Sequence, residues 1–294
     1  MEGRGRAGIR LQSADEYLRR KYEIPAVLPA LPLEDEPFAA SWREASGPAT
    51  LDFLADRLHL PAFDFQWENR EALKISFAQT LGGRLPVIST ESHRDFRQME
   101  ALMSARKEAP ELPMTVNAFT LEARPESIYR HRVLLLNYAP YSNIPADRLG
   151  LDERDWMERS HRLRQRHESA HYETLRLLGG MKNHALDEIL ADAMGQIAAF
   201  GDFDADRQRI FFGLTKGGDT CTGRLSFYTQ RAEPEECAKI YRAVDEALEL
   251  VADELRRLQK TQADDWKLLT ALAGTSIAER LRQTFGREAK AELP

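Results

Sequence analysis

The pattern of apolar and polar positions divides the chain into an N-terminal part with mixed signals and a C-terminal part with long helical periods. Four prolines punctuate residues 1–46, so we expect extended chain wrapped on a larger body there. Apolar residues at helical spacing predict a short helix over 51–58, and a second helix is predicted over 92–107. Residues 85–89 lie between these helices and are predicted to form a strand.

Two further strands are predicted before the chain becomes helical. Residues 115–121 are rich in β-branched and aromatic side chains, and residues 132–138 form an apolar run that ends at a turn region. Asp152 then caps a predicted helix that runs to Leu178 and ends at Gly179 and Gly180, where a left-handed backbone costs little. A second helix is predicted over 183–199, antiparallel to the first.

The last third of the chain is predicted to be a helical subdomain. Residues 202–230 are predicted to be loops and short extended pieces. An alternating string of aspartates at 202–206 lacks the glycine and glutamate of a calcium-binding loop, so turns and helix caps are its expected role. An apolar stripe with helical period runs from Ile240 to Leu258, and Ser276 with Glu279 matches the capping box of a last helix.

These elements together predict an α+β fold, in which a small β-sheet is followed by antiparallel helices and a helical C-terminal subdomain. Residues 1–110 are predicted to form an N-terminal α/β region wrapped on the core. Residues 111–294 are predicted to form the main domain, with the helical subdomain beginning near residue 233.

Composition narrows the class of protein. Apolar residues make up 43% of the chain and charged residues 30%, which is the balance of a globular protein and not of a disordered one. The formal net charge is −6, whereas nucleic-acid-binding proteins carry a basic face, so no nucleic-acid partner is expected. The basic cluster over 162–166 is flanked by acidic residues and is predicted to be a solvated helix face.

The cysteines and the apolar runs indicate a compartment. No apolar run of signal-peptide length follows the arginines of the first ten residues, and the aliphatic run over 133–136 is far too short to span a membrane. Cys221 and Cys237 are the only cysteines and do not form a CxxC pair, which favours reduced thiols over a disulfide scaffold. We therefore expect a cytoplasmic protein without a membrane partner.

The segment with the clearest chemistry is His167-Glu168-Ser169-Ala170-His171, an HExxH motif. Residues four apart lie on one face of a helix, so the two imidazoles can reach one metal ion. Glu168 projects to the side of that ion, where it can accept a proton from a metal-bound water. A pair of histidines at this spacing also occurs on ordinary solvated helices, so the motif alone is only suggestive.

The third ligand is predicted to be Glu188, seventeen positions beyond His171. The first helix descends from His171 to the glycine turn and the second climbs back, so an antiparallel pair brings Glu188 close to both histidines. Asp192 lies one turn further along the same face and can hold the free N–H of His167. Asp187 can do the same for His171, and such carboxylates fix the tautomer of a ligating histidine.

This arrangement resembles the gluzincins, the thermolysin-like clan of zinc metallopeptidases. The resemblance covers roughly residues 152–200 and consists of the HExxH motif followed by a helix with the pattern Asp187-Glu188-x-x-x-Asp192-x-x-Gly195. It implies a zincin-like fold. The rest of the chain, including 140–143 and 179–181, resembles an uncharacterised bacterial family more than any named peptidase.

The resemblance also implies roles. One Zn²⁺ ion would be held by His167, His171 and Glu188, with Asp192 orienting His167 and Glu168 acting as the general base. The interval between the second histidine and the third ligand is slightly shorter than is usual in the clan. No histidine follows His184, so the clan's downstream histidine has no counterpart here. We leave His161 and His184 out of the predicted site.

Hydrolysis of a peptide bond in a peptide or protein substrate is the activity that the resemblance implies. The strand over 132–138 precedes the metal helix, as the substrate-binding edge strand does in gluzincins, so an extended peptide could pair with it. A developing oxyanion needs a hydrogen-bond donor besides the metal. Four side chains are candidates by residue type alone: Tyr138, Tyr141, Arg224 and Tyr228.

Two other interpretations use the same residues. Two histidines and one carboxylate also hold Fe(II) in oxygenases, although Glu168 would have no role there. Alternatively, a zincin-like fold could hold a structural metal, or none, and serve as a binding module without peptidase activity. In that case Glu168 would be dispensable.

Overall fold

A computed structural model describes residues 11–42, 66–104, 106, 108–123 and 131–283. Its helices are α1 (Ala14–Leu18), α2 (Ala39–Trp42), α3 (His93–Met103), α4 (Glu153–Leu178), α5 (Ala185–Phe200), α6 (Ala205–Phe212), α7 (Leu225–Tyr228), α8 (Cys237–Lys260), α9 (Asp265–Ala273) and α10 (277–283). Its strands are β1 (Lys74–Thr80), β2 (Gly83–Thr90), β3 (Ala118–Ala123) and β4 (His131–Asn137). Short 3₁₀ helices cover Arg70–Ala72, Tyr141–Asn143, Ala146–Leu149 and Pro234–Glu236. The predicted α+β class is confirmed.

The described strands form one mixed sheet in the order β1-β2-β4-β3. β1 and β2 form an antiparallel hairpin, β2 runs parallel to β4, and β3 pairs antiparallel with β4. The strands predicted at 85–89, 115–121 and 132–138 are confirmed with shifted bounds. The expectation that 132–138 is an edge strand is wrong, because β4 lies between β2 and β3. The outer strand on that side is β3.

The central strand β4 is buried on both faces of the sheet. Val133, Leu134, Leu135 and Leu136 are consecutive residues of β4 and all are fully buried. Because neighbouring residues in a strand point to opposite faces, both faces of β4 must be covered. α3 and α4 both pack against β4, and Tyr172 of α4 belongs to the same apolar cluster as the sheet residues.

A second core is helical and lies around α5. Nearly all of α5 is buried: most of its residues are apolar, and its buried polar residues include Asp187, Glu188 and Asp192. The apolar stripes of α8 and α9 pack against it, and α1 adds Ala14 and Tyr17 to the same cluster. The predicted stripe from Ile240 to Leu258 is thus a core face, as expected.

The hairpin of α4 and α5 joins the two cores. Asp152 caps α4 by accepting from the amide of Asp155, and Gly179 ends the helix in the left-handed region at φ 78°. The predicted helices over 152–178 and 183–199 are confirmed. The contacts show that the two helices are antiparallel. Arg159, near the start of α4, donates to the carbonyl of Ala199 near the end of α5, whereas His167, later in α4, contacts Asp192, earlier in α5.

Other expectations had mixed outcomes. The prediction of loops over 202–230 is wrong in part, because α6 and α7 lie there, and both are too short to show a clear helical period. Asp204 caps α6, as expected of that aspartate string, and Ser276 and Glu279 form the predicted capping box at the start of α10. The described part of residues 1–46 contains two short helices within otherwise mostly irregular chain. The helix predicted at 51–58 lies outside the described residues.

Three further predictions concern thiols, membranes and the division of the chain. Cys221 and Cys237 are free thiols. Among the helices of the described ranges, none combines the length and apolar character needed to cross a membrane. The division near residue 110 and the cytoplasmic location stay predictions.

Gly195 allows α4 and α5 to approach closely. A Cβ atom at this position would lie 2.8 Å from the backbone oxygen of Leu163 on α4. Alanine is the better helix former by roughly 0.5–1 kcal/mol, but a backbone carbonyl inside a packed helix pair cannot move aside easily. Overpacking of this kind costs about 1–3 kcal/mol, so the steric effect should dominate.

We therefore predict that Gly195→Ala lowers the free energy of unfolding of the metal-free protein by about 1–3 kcal/mol. Chemical denaturation followed by circular dichroism measures this change. Gly180→Ala is the matched control, because nothing lies within 4 Å of the added Cβ. An unchanged or higher stability for Gly195→Ala would show that the two helices are not in such close contact.

Candidate metal centre

The helix hairpin brings three buried side chains to one point. His167 and His171 lie one turn apart on the face of α4 that meets α5, and Glu188 lies in the first turn of α5. Each is at most 5% exposed. The sequence-predicted ligands are therefore adjacent, and their ligand atoms all lie within 4.8 Å of one another.

The separations between these atoms suit a single ion. The two Nε2 atoms of His167 and His171 are 3.0 Å apart, and Glu188 oxygens lie 3.6 Å from the first and 3.4 Å from the second. Ligands that each lie 2.0–2.1 Å from a tetrahedral metal ion are separated from one another by about 3.3 Å. The group could therefore hold a metal ion.

A buried oxygen in the group also fits this interpretation. Glu188 Oε2 is inaccessible to solvent and has no hydrogen-bond partner among the described residues. A buried carboxylate oxygen without a hydrogen bond costs free energy unless something satisfies it. A cation between Glu188 and the two imidazoles would do so.

A family model matches residues 116–282, more than half of the chain, and it describes a family of unknown function. The chain belongs to DUF7005. Comparison with the curated proteins and with the solved structures found no match.

All of the predicted site residues lie inside the DUF7005 match. Asp192 supports His167: its Oδ1 lies 2.8 Å from Nδ1 of that histidine. Arg224, Tyr141 and Gln208 also bind the Asp192 carboxylate. Burial raises the pKa of Asp192, but Arg224 and His167 outweigh burial and lower it, so the carboxylate stays charged.

Asp187 faces the second histidine. Its Oδ2 lies 3.4 Å from Nδ1 of His171, which is close enough for charge attraction, although the two atoms do not meet hydrogen-bond geometry. Burial lowers the pKa of His171, but Asp187 and Glu188 outweigh burial and raise it well above its ordinary value. A metal ion at this point would replace a proton that the two carboxylates attract.

Glu168 lies on the open side of the group. It is half-buried and lines, together with His167, a cleft of about 740 Å³. Thr120 of β3 donates to Glu168 Oε2 at 2.7 Å, so the outer strand fixes the direction of the carboxylate. The carboxylate thus contacts the cleft that the candidate ligand His167 also lines.

Three of the four candidate donors reach the site. Arg224 Nη1 lies 3.6 Å from Glu188 Oε2, and Tyr228 lines the same cleft. Burial and the charge of Glu188 raise the pKa of Tyr228, so its hydroxyl keeps its proton. Tyr141 binds Asp192 behind the ligands. Tyr138 does not reach the site, because its ring packs beside His161.

The two histidines left out of the predicted site, His161 and His184, do not belong to the ligand group. His184 caps α5, accepting from the amide of Leu186 at Nδ1 and donating from Nε2 to the carbonyl of Tyr17. His161 is half-buried beside Tyr138, away from the three ligands.

Some supporting residues were missed. Arg164 belongs to the cluster over 162–166 that was predicted to be solvated, and for this residue the prediction is wrong. Its guanidinium is buried and donates to the carbonyls of Asn137, Ala139 and Pro140, which fixes the loop after β4. Gln208 was missed because its helix was predicted to be a loop, and no signal near it indicates a role.

We predict that the protein binds one equivalent of a divalent ion such as Zn²⁺, and that His171→Ala lowers the affinity by more than about 100-fold. Loss of a ligand should exceed the 10–100-fold effect typical of a supporting residue. Competition with a chromogenic chelator measures the affinity. His161→Ala is the control on the same helix and should bind as the unaltered protein does. Equal affinity for both variants would rule out this ligand set.

Proposed function

We propose that the chain is a zinc-dependent peptidase with a zincin-like fold. The observation that carries the proposal is the position of Glu168: it lies next to a ligand set suited to one ion, and its carboxylate faces a cleft large enough for a substrate. Two imidazoles and one carboxylate leave the fourth position of Zn²⁺ open, which is the arrangement of catalytic zinc sites.

The ligand set suits a zinc ion that activates water and a carbonyl group. When bound, Zn²⁺ supplies a Lewis acid that makes water acidic near neutral pH and polarises a carbonyl group. His167 and His171 would present their Nε2 atoms to the ion, because carboxylates lie on the Nδ1 side of each ring. Asp192 and Asp187 would thereby favour a proton on Nδ1 of each ring and leave Nε2 as the atom that binds the ion.

Glu168 is proposed to move the proton. It would accept a proton from water in the cleft and return it to the amine that leaves when the peptide bond breaks. The hydrogen bond from Thr120 holds one carboxylate oxygen and restricts rotation of the side chain. A base held in this way loses little conformational freedom when the substrate binds.

Arg224 and Tyr228 are proposed to stabilise negative charge on the substrate oxygen. Both line the cleft, and Arg224 is anchored by Asp192. Its Nε is buried and has no hydrogen-bond partner among the described residues. Positively charged or neutral donors fixed in a partly desolvated site are the usual means of stabilising a developing oxyanion.

An extended peptide would pair with the outer strand. Residues 115–118 line the cleft and lead into β3, whose edge away from β4 pairs with no other described strand. Strand addition at a sheet edge supplies main-chain hydrogen bonds without regard to the peptide's side chains. The substrate class supported by this arrangement is therefore an extended peptide or an unfolded protein segment.

We predict that Glu168→Gln lowers hydrolysis by about 10²–10⁴-fold, the usual contribution of a general base, while one equivalent of zinc stays bound. Zinc-loaded protein is incubated with denatured casein, new peptide termini are quantified by mass spectrometry, and metal content is measured by elemental analysis. Glu158→Gln is the control, because Glu158 is an exposed carboxylate on the same helix.

Two results would overturn the proposal. One is full activity of Glu168→Gln. The other is zinc-loaded wild-type protein that cleaves no peptide, which would leave a metal-binding module. Purification without added metal that yields iron in place of zinc would favour oxygenase chemistry.

A further inference from the structure

An N-terminal segment outside the family match reaches the metal centre. We call residues 12–22 the N-terminal strap. It begins at a parallel bridge between Gln12 and Ala232 and includes α1, which Ser13 caps. It ends at Tyr22, whose amide donates to the carbonyl of Ala273 at 2.9 Å. Both ends of the strap are thus fixed to the helical part of the chain.

Tyr22 binds the carboxylate that faces the second histidine. Its side chain is 2% exposed, and its hydroxyl donates to Asp187 Oδ1. The amide of Lys182 donates to the other oxygen, Asp187 Oδ2, at 3.0 Å. The ammonium group of Lys182 in turn lies 4.1 Å from the centre of the Tyr22 ring. Two donors from different parts of the chain therefore hold this carboxylate.

The orientation of Asp187 determines what His171 can do. With the carboxylate 3.4 Å from Nδ1, the favoured tautomer carries its proton on Nδ1 and leaves Nε2 as a lone pair. If Asp187 turned away, Nε2 could carry the proton instead, and the imidazole would lose its ligand atom. The hydroxyl of Tyr22 opposes that rotation.

Tyr17 connects the same strap to the third ligand and to the cleft. Its hydroxyl accepts from the amide of Ala185 at 2.9 Å and donates to the carbonyl of Tyr228 at 3.2 Å. Its ring stacks on His184, with the ring centres 3.9 Å apart. The first turn of α5, which carries Asp187 and Glu188, is therefore tied to α7 through the strap.

We propose that Tyr22 is a positioning residue of the metal centre, and that the N-terminal strap sets metal affinity through Asp187. This rests on the proposed metal centre but not on peptidase activity. The strap lies in residues 12–22 and the centre in residues 167–192, so the segment before the family match would be an integral part of the site.

The first test measures zinc affinity by chelator competition, without any substrate. Tyr22→Phe should bind zinc about tenfold more weakly, at the lower end of the 10–100-fold range for outer-shell partners. Tyr172→Phe is the matched control. This buried tyrosine follows His171 on α4, but its hydroxyl donates to the carboxylate of Glu36 and not toward the ligands. Its zinc affinity should be unchanged.

A double-mutant cycle separates positioning from general destabilisation. If Tyr22 acts through Asp187, then Tyr22→Phe should have no further effect on zinc affinity in an Asp187→Asn background. Additive losses, or wild-type affinity for Tyr22→Phe, would overturn the proposal. Wild-type protein that binds no zinc would overturn the metal centre as well, so the two failures are distinguishable.

A second test uses the unaltered chain and stays informative if Tyr22→Phe fails to fold. Coupling between two sites is reciprocal, so zinc should stabilise the strap as the strap stabilises zinc binding. Hydrogen–deuterium exchange should slow at the Tyr22 amide when zinc is added, whereas the β1–β2 hairpin should be unaffected. Unchanged exchange in the strap would overturn the inference.

Discussion

The close contact between α4 and α5 is the constraint on which the rest of the structure depends. Gly195 lets the helices approach so closely that a Cβ atom there would lie 2.8 Å from the backbone oxygen of Leu163. This close approach sets the gap across which His167, His171 and Glu188 face one another. A wider gap would separate the carboxylate from the imidazoles. Both cores support this contact. The sheet core packs against α4, and the helical core packs around α5, which carries the carboxylates of Asp187, Glu188 and Asp192.

The contact also brings several charged side chains together in the interior of the protein. Asp187, Glu188 and Asp192 are each at most 4% exposed, and such burial opposes ionisation. For Glu188 and Asp192, the histidines and Arg224 outweigh that penalty and lower the pKa of each carboxyl group. Structural stability alone does not require this arrangement, since well-packed apolar residues would serve as well or better. A cation held at the centre would explain why the cluster is buried.

Much of the hairpin could be predicted, because its signals are local. The cap at Asp152, the glycine stop at Gly179 and the helical spacing from His167 to His171 all lie within a few residues of what they determine. Glu188 followed from helix geometry across one short turn. β1 was missed although Ile75 and Phe77 alternate with polar residues ahead of a glycine turn, a pattern that could have indicated a hairpin. Sheet order and the support from Tyr22 were beyond reach, since both depend on contacts between residues far apart in the chain.

The identity of the ligands is best tested by X-ray absorption spectroscopy of the full-length protein loaded with one equivalent of zinc. The structure predicts a first shell of nitrogen and oxygen at about 2.0–2.1 Å, with the outer-shell scattering of two imidazoles. Replacing Glu188 by alanine should remove one oxygen from that shell and leave both imidazoles. A spectrum with sulfur at about 2.3 Å, or without imidazole scattering, would contradict the assignment of His167, His171 and Glu188 as the metal ligands.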